Sequence, residues 1–204
     1  MNLTAPHLLL ASASPRRSDI LEQMGVNFSV LAVDIDESRH SDESPVDYVS
    51  RLAREKAQAG FRRQDGQLPS LGADTIVVFN GQIFGKPEDQ EEAATMLMTL
   101  SGREHSVFTA VAIDNGVHTE LSISETRVRF RTIAQSECLI YWQTGEPQGK
   151  AGAYAIQGRG GVFVEYLEGS YSGVVGLPLA ETEQLLKKFS VPLWNARLEN
   201  NSPV

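Results

Sequence analysis

Apolar and polar positions alternate along this chain in two rhythms, one of strands and one of helices. Leu8-Leu9-Leu10-Ala11 is a short unbroken apolar run, the pattern of a strand buried on both faces. It ends at Ser12-Ala13-Ser14, and a helix follows with Ser14 at the N-cap and Pro15 at N1. Ile20, Leu21 and Met24 fall on one face of that helix, and Gly25 supplies its C′ stop. A strand is predicted around residues 28–33, leading into the acidic loop Asp34-Ile35-Asp36-Glu37. Ser44-Pro45 opens a second helix with Asp47 in its first turn, closed by Gly60. Residues 71–79 read as a buried strand, Asn80-Gly81 as a two-residue hairpin turn, and residues 88–100 as a helix ending near Gly102.

The second half opens with a strand over residues 106–113 and a further hairpin turn at Asn115-Gly116. A long alternating strand follows, with Val128 and Phe130 on one face and Arg127, Arg129 and Arg131 on the other, a solvated sheet face or an interface. A short helix over residues 135–143, a Gly-rich stretch of turns and short strands over 145–176 and a last helix over 179–189 complete the pattern. The tail after Pro192 reads as loose. Strands and helices are mixed throughout, which predicts an α/β chain. The layout suits a single domain over residues 1–204 built as two lobes with a cleft between them.

Composition narrows the functions available. The 204 residues suffice for a real core. No apolar run approaches the roughly 20 residues of a membrane span, and the first residues lack the basic and apolar regions of a signal peptide. The single Cys138 cannot form an internal disulfide, which points to a reducing cytoplasm, and it is expected to pack inside a helix. A net charge of -8 argues against binding a nucleic-acid polymer but permits a small phosphorylated ligand in a local basic site.

The candidate chemistry lies where charge departs from pattern. Arg16 and Arg17 stand in a helix first turn, where they oppose the helix dipole. An anion bound there would reconcile them, with backbone N–H groups, the Ser12 and Ser14 hydroxyls and two guanidinium groups converging on phosphate. A strand–helix joint with two solvated arginines is the plain alternative. Asp74 lies in Leu71-Gly72-Ala73-Asp74-Thr75-Ile76, an apolar strand in which an ionised carboxylate is costly unless paired or metal-bound. It suits a metal ligand or a general base, against a strand-end turn residue. Lys56 shares a helical stripe with Val49, Leu52 and Ala53, and so either snorkels or points into a cleft. Lys86, in Gly85-Lys86-Pro87, can reach phosphate from a loop. Glu37 could share a divalent cation with Asp74. The four histidines lack metal-ligand spacing. A P-loop and a dinucleotide fingerprint are both ruled out, since Pro87 stands where Ser or Thr is needed and Phe163 where the third glycine belongs.

In order along the chain, these segments resemble the Maf family. Ser12-Ala13-Ser14-Pro15-Arg16-Arg17 is similar to its S-x-S-P-R-R signature. The acidic loop ending Asp36-Glu37, Ala53-Arg54-Glu55-Lys56-Ala57, Gly72-Ala73-Asp74-Thr75, Gly85-Lys86-Pro87 and Leu100-Ser101-Gly102-Arg103 follow in register. So do Thr144-Gly145-Glu146-Pro147, the segment from Lys150 to Gly158, Gly169-Ser170-Tyr171 and the segment from Val174 to Leu179. The likeness runs from about Leu8 to Phe189.

The resemblance implies an elongated mixed sheet flanked by helices, in a Maf/ITPase-like fold. It also implies a nucleoside triphosphate pyrophosphatase that uses Mg²⁺, Mn²⁺ or Co²⁺. The dTTP/UTP subgroup is marked by the first arginine of the pair, the threonine after the aspartate and the glutamine of the Ala-Tyr-x-Ile-Gln-Gly stretch, here Arg16, Thr75 and Gln157. Asp74 is then the general base, Glu37 and Asp74 the metal ligands, and Ser12, Ser14, Arg16, Arg17, Lys56 and Lys86 the phosphate-binding set. Thr75 and Gln157 suit the imide edge of uracil or thymine. Two departures are Gly149, where the family usually has aspartate, and Gly173, where it usually has asparagine. A homodimer and a role limiting non-canonical nucleotides also follow from the likeness. The competing readings are a regulator of septum formation that binds nucleotide without turnover, and a pyrophosphatase for another modified nucleotide.

Overall fold

A computed structural model of the protein describes residues 5–194. The opening residues 1–4 and most of the tail expected after Pro192 lie outside the described residues. In chain order the elements are β1 (Leu8–Leu10), α1 (Pro15–Gln23), β2 (Phe28–Val30), α2 (Pro45–Arg63), β3 (Ser70–Phe79), β4 (Gln82–Phe84), α3 (Gln90–Leu100) and β5 (Glu104–Asp114). Then come β6 (Thr119–Phe130), α4 (Gln135–Gln143), β7 (Val164–Glu168), α5 (Tyr171–Val175) and α6 (Leu179–Lys188). Two short 3-10 turns, Ala151–Ala153 and Arg159–Phe163, precede β7.

The described strands form a seven-stranded mixed sheet in the order β2-β1-β3-β5-β6-β7, with β4 paired to β3. β1 lies parallel to both β2 and β3, whereas β4 runs antiparallel to β3 and β7 antiparallel to β6. This is the mixed, helix-flanked sheet that the family resemblance implies. By contact the described residues divide into two compact units, residues 5–74, 110–123 and 176–194 in the first and residues 75–109 and 124–175 in the second.

In the first unit Leu8, Leu10, Ala11, Leu21, Leu52, Leu71, Leu177 and Leu186 are fully buried. β1 is thus an interior strand, as its unbroken apolar run requires. α2 is longer than predicted. Gly60 does not end it, and the helix continues to Arg63. The glycine is there for close approach, since a Cβ at residue 60 would stand 2.3 Å from Ser70 Oγ and 2.7 Å from Ala11 Cβ. β2 stops at Val30, shorter than the predicted strand.

The second unit is built around Phe130, which packs edge-on to Tyr154 and His105 among Leu97, Leu100, Val107, Ile133, Tyr141 and Phe163. Cys138 is buried in α4, where its pattern placed it. Asn80 and Gly81 both take positive φ, 49° and 75°, the geometry a two-residue hairpin needs. The second expected hairpin is wider, because Asn115 Oδ1 accepts from Val117 N and His118 N and spreads the turn over four residues. The outward arginines of β6 face acids, Arg127 with Glu168 and Arg129 with Glu165, and Arg131, which the sequence placed on the same strand but which follows its end at Phe130, pairs with Glu137. The short helix α5 was not legible in the Gly-rich segment, which reads as turns and short strands.

Candidate active site

In the first unit the site begins at the entrance to α1. Ser14 is the N-cap residue, but its hydroxyl does not cap the helix. Instead its backbone N–H donates to Ser12 Oγ at 3.1 Å, tying the loop to the serine that follows the strand. Arg17 turns back onto the same loop, Nη1 donating to Ser12 Oγ at 3.2 Å and Nε to the Gly176 carbonyl at 2.9 Å. Enclosure of the guanidinium lowers its pKa, and the like charge of Arg16 adds to this, while the negative charges of Asp74 and Glu37 oppose it. No acid stands in this first turn, so the helix start gathers positive charge.

Opposite charge is supplied by β3 and the acidic loop. Lys56 lies on the buried stripe of α2 with Val49, Leu52 and Ala53, itself only 8% exposed. Its ammonium donates to Asp74 Oδ1 at 2.7 Å and to Glu37 Oε1 at 2.6 Å. The stripe therefore ends in an inward lysine bridging two carboxylates. Gly72 makes this possible. A Cβ there would lie 2.3 Å from Ala57 N and 2.4 Å from Ala53 O, so only glycine lets β3 approach the α2 backbone this closely.

Two residues that the sequence did not single out fix the acidic loop. Tyr48 donates its hydroxyl proton to the Glu37 carbonyl at 2.8 Å. Burial raises its pKa, and the charges of Asp74 and Glu37 raise it further. Arg51 pairs with Glu43 at 2.7 Å and donates to the Ser38 carbonyl at 2.9 Å. That bond to Arg51 holds the Glu43 carboxyl at about 2. No local sequence signal marks this pairing, because Arg51 and Glu43 lie eight positions apart across a loop–helix junction.

Glu37 and Asp74 already converge on a single cation, the Lys56 ammonium, so both are within reach of one small hard ion. Among the described residues no group of three or more His, Cys, Asp or Glu could hold a metal. The arrangement fits Mg²⁺-type chemistry, in which one or two carboxylates act together with substrate phosphates and water.

In the second unit Thr75, Lys86 and Gln157 are the predicted site residues. Thr75 is partly exposed and its Oγ1 lies 2.9 Å from Thr109 Oγ1. Lys86 and Gln157 are exposed in loops. The Lys86 loop is tied to the segment ahead of Gln157 by Gly152 N, which donates to the Gly85 carbonyl at 3.0 Å. After Gln157 the chain is clamped by Glu146, whose carboxylate accepts from Tyr141 Oη at 2.7 Å, Arg159 N at 2.9 Å and Gly160 N at 2.8 Å. Burial works to raise the pKa of Glu146, but these donors together outweigh it and leave the value lowered. Thr109 and Glu146 are further supports that the sequence does not mark as such.

Residues 7–189 match the model of a protein family described as Maf-like protein. A protein of Saccharophagus degradans named dTTP/UTP pyrophosphatase is 51% identical over 190 residues, covering 92% of this chain and 90% of the relative. Proteins of the same name from Pseudoalteromonas atlantica and Escherichia coli O157:H7 are 52% and 51% identical, covering 90% of this chain and 97% and 93% of their own lengths. Among solved structures, the Staphylococcus aureus Ham1 protein matches 96% of this chain and 99% of its own at 14% identity and a TM-score of 0.48.

Proposed function

This chain belongs to the Maf family, and from that footing we propose that it hydrolyses dTTP and UTP to the nucleoside monophosphate and pyrophosphate. The observation that carries the reading is the Lys56 ammonium bridging Glu37 and Asp74, with the enclosed Arg17 under the influence of both carboxylates. A triphosphate site needs this pairing of cations for the phosphates with carboxylates for the nucleophile.

Each residue then has a defined task. Asp74 accepts a proton from the water that attacks the α-phosphorus. Ser12, Ser14, Arg16, Arg17 and Lys86 bind phosphate oxygens and offset the charge that develops on the departing pyrophosphate. Arg17 is pre-positioned by Ser12 and the Gly176 carbonyl, so little side-chain entropy is lost when it meets the substrate. Glu37 and Asp74 would hold a divalent cation, and such an ion supplies further charge neutralisation at the phosphates. Lys56, beside both carboxylates, would also offer its ammonium to a phosphate oxygen. Thr75 and Gln157 contact the pyrimidine edge, the amide of Gln157 offering both a donor and an acceptor.

The test is a panel of nucleoside triphosphates incubated with purified protein and Mg²⁺, Mn²⁺ or Co²⁺ and scored for pyrophosphate. dTTP and UTP are expected to lead. Purines in the lead would overturn the pyrimidine reading, and binding without pyrophosphate release would overturn the enzymatic one. Asp74→Asn, which keeps the shape and removes the base, is expected to lower turnover by about 100- to 10,000-fold. Near-normal turnover in that variant would remove Asp74 from the mechanism.

A further inference from the structure

The second unit contains a chain of three oxygens whose spacing constrains where their protons lie. Thr109 Oγ1 lies 2.7 Å from the Gly173 carbonyl oxygen. A carbonyl oxygen only accepts, so Thr109 spends its single proton on that bond. The same Thr109 oxygen lies 2.9 Å from Thr75 Oγ1. With its own proton committed, Thr109 can only accept there, and Thr75 must donate. The proton of Thr75 is thereby used inside the protein. Any other group that meets Thr75 Oγ1 has to bring a hydrogen of its own.

The chain is held rigidly. Thr109 is 1% exposed within β5, and Gly173 is buried in α5, a helix of one turn whose carbonyls lack continuing helical partners. The Gly173 N–H is in turn fixed by Ser170 Oγ at 3.0 Å. Because Thr109 bonds to a backbone oxygen, the device does not depend on a side chain at residue 173.

We propose that Thr109 is a positioning residue for base selection, holding the Thr75 hydroxyl as an obligate acceptor. The inference rests on the reading of Thr75 as a contact to the pyrimidine. Facing ring position 3 of the base, an acceptor-only hydroxyl requires an N–H at that position, and uracil and thymine carry one, at N3. Cytosine presents a lone pair at the same ring position, so two acceptors would face each other and the complex would forfeit a hydrogen bond at a desolvated contact. The Gly173 carbonyl, through Thr109, thus orients a proton that the substrate never touches and sets which pyrimidine is accepted.

The experiment compares kcat/KM for UTP and CTP in the wild type and in Thr109→Val, Thr109→Ser and Thr75→Val, with thermal melting as the check on folding. Thr109→Val is nearly isosteric and frees the Thr75 proton to turn toward the base. The ratio of UTP to CTP is expected to fall by about tenfold or more, with the CTP value maintained or raised while the UTP value drops. Thr109→Ser, which restores the hydroxyl, is expected to restore the ratio. Equal losses on both substrates would overturn the proposal, because a merely structural role lowers both together. Thr109→Ala carries the same expectation should the valine variant not fold. If Thr75→Val shifts the ratio and Thr109→Val does not, the relay fails while the reading of Thr75 stands. If Thr75→Val leaves the ratio unchanged, the reading of Thr75 fails and the relay with it.

Discussion

Gly72 shows how one missing side chain can set the spacing of the Lys56–Asp74 pair. Its neighbours are the backbone atoms Ala57 N, Ala53 O and Lys56 C, at 2.3, 2.4 and 2.9 Å from a would-be Cβ. Helix backbone cannot rotate out of the way as a side chain can, so Gly72→Ala must push α2 off β3. The Lys56–Asp74 contact of 2.7 Å spans this same junction. Overpacking of this kind costs about 1–3 kcal/mol of stability, and a catalytic pair displaced by about 1 Å loses on the order of 100-fold in rate. Gly72→Ala is therefore expected to lower pyrophosphate release far more than its melting temperature suggests. Gly60→Ala serves as the comparison, since its would-be Cβ meets the Ser70 hydroxyl and the Ala11 methyl rather than the Lys56–Asp74 junction. It is expected to affect stability with a smaller effect on rate. A Gly72→Ala enzyme with normal turnover would show that the close approach serves packing alone.

At the scale of elements, the acidic loop depends on α2 for its place. Arg51 holds Glu43 and the Ser38 carbonyl, and Tyr48 holds the Glu37 carbonyl, so Glu37 is positioned from the helix that also presents Lys56. Arg51→Met keeps the aliphatic stem and removes the fork of donors. The Arg51 and Glu43 side chains are only 18% and 8% exposed, so the variant leaves a part-buried carboxylate without its donors, at a cost of about 1–3 kcal/mol, and the melting temperature should fall. The loop should loosen, and the divalent-cation concentration needed for half-maximal activity is expected to rise several-fold, with a smaller change in kcat. An unchanged cation requirement would detach Glu37 from metal binding. The inward Lys56, the carboxylate in β3 and the arginines opening α1 were legible because each breaks a periodic pattern or a dipole preference. Tyr48, Arg51, Thr109 and Glu146 were not, because their partners are reached through the fold and their residue types are ordinary at those positions. Gly60 misled for a related reason. Local propensity reads a glycine as a helix stop, whereas here helix–sheet proximity requires it within the helix. The wider turn at Asn115 likewise follows from a side-chain amide capturing two N–H groups, which the Asn-Gly dipeptide does not reveal.

For the molecule as a whole, the core of the second unit ties stability to pH through a residue with no assigned chemical role. His105 is 3% exposed, stacked edge-on between Phe130 and Tyr154, with Nε2 at 2.9 Å from Tyr154 Oη. Burial holds its pKa down at about 4 against an ordinary value of 6.5. The native state therefore keeps the ring neutral, while the unfolded chain takes up a proton as pH drops through 6.5. Stability is full above that value and is lost progressively toward pH 4, where the cost reaches about 3 kcal/mol. Glu146, whose pKa is lowered in the native state, acts in the same direction, since acid removes the charge that holds the loop after Gln157. His105→Gln keeps a partner for Tyr154 and does not titrate. Its melting temperature is expected to be lower at pH 8 through lost packing, yet to fall less steeply between pH 6.5 and pH 4 than that of the wild type. Parallel curves for the two proteins would show that the buried imidazole is not the group through which acid destabilises this core.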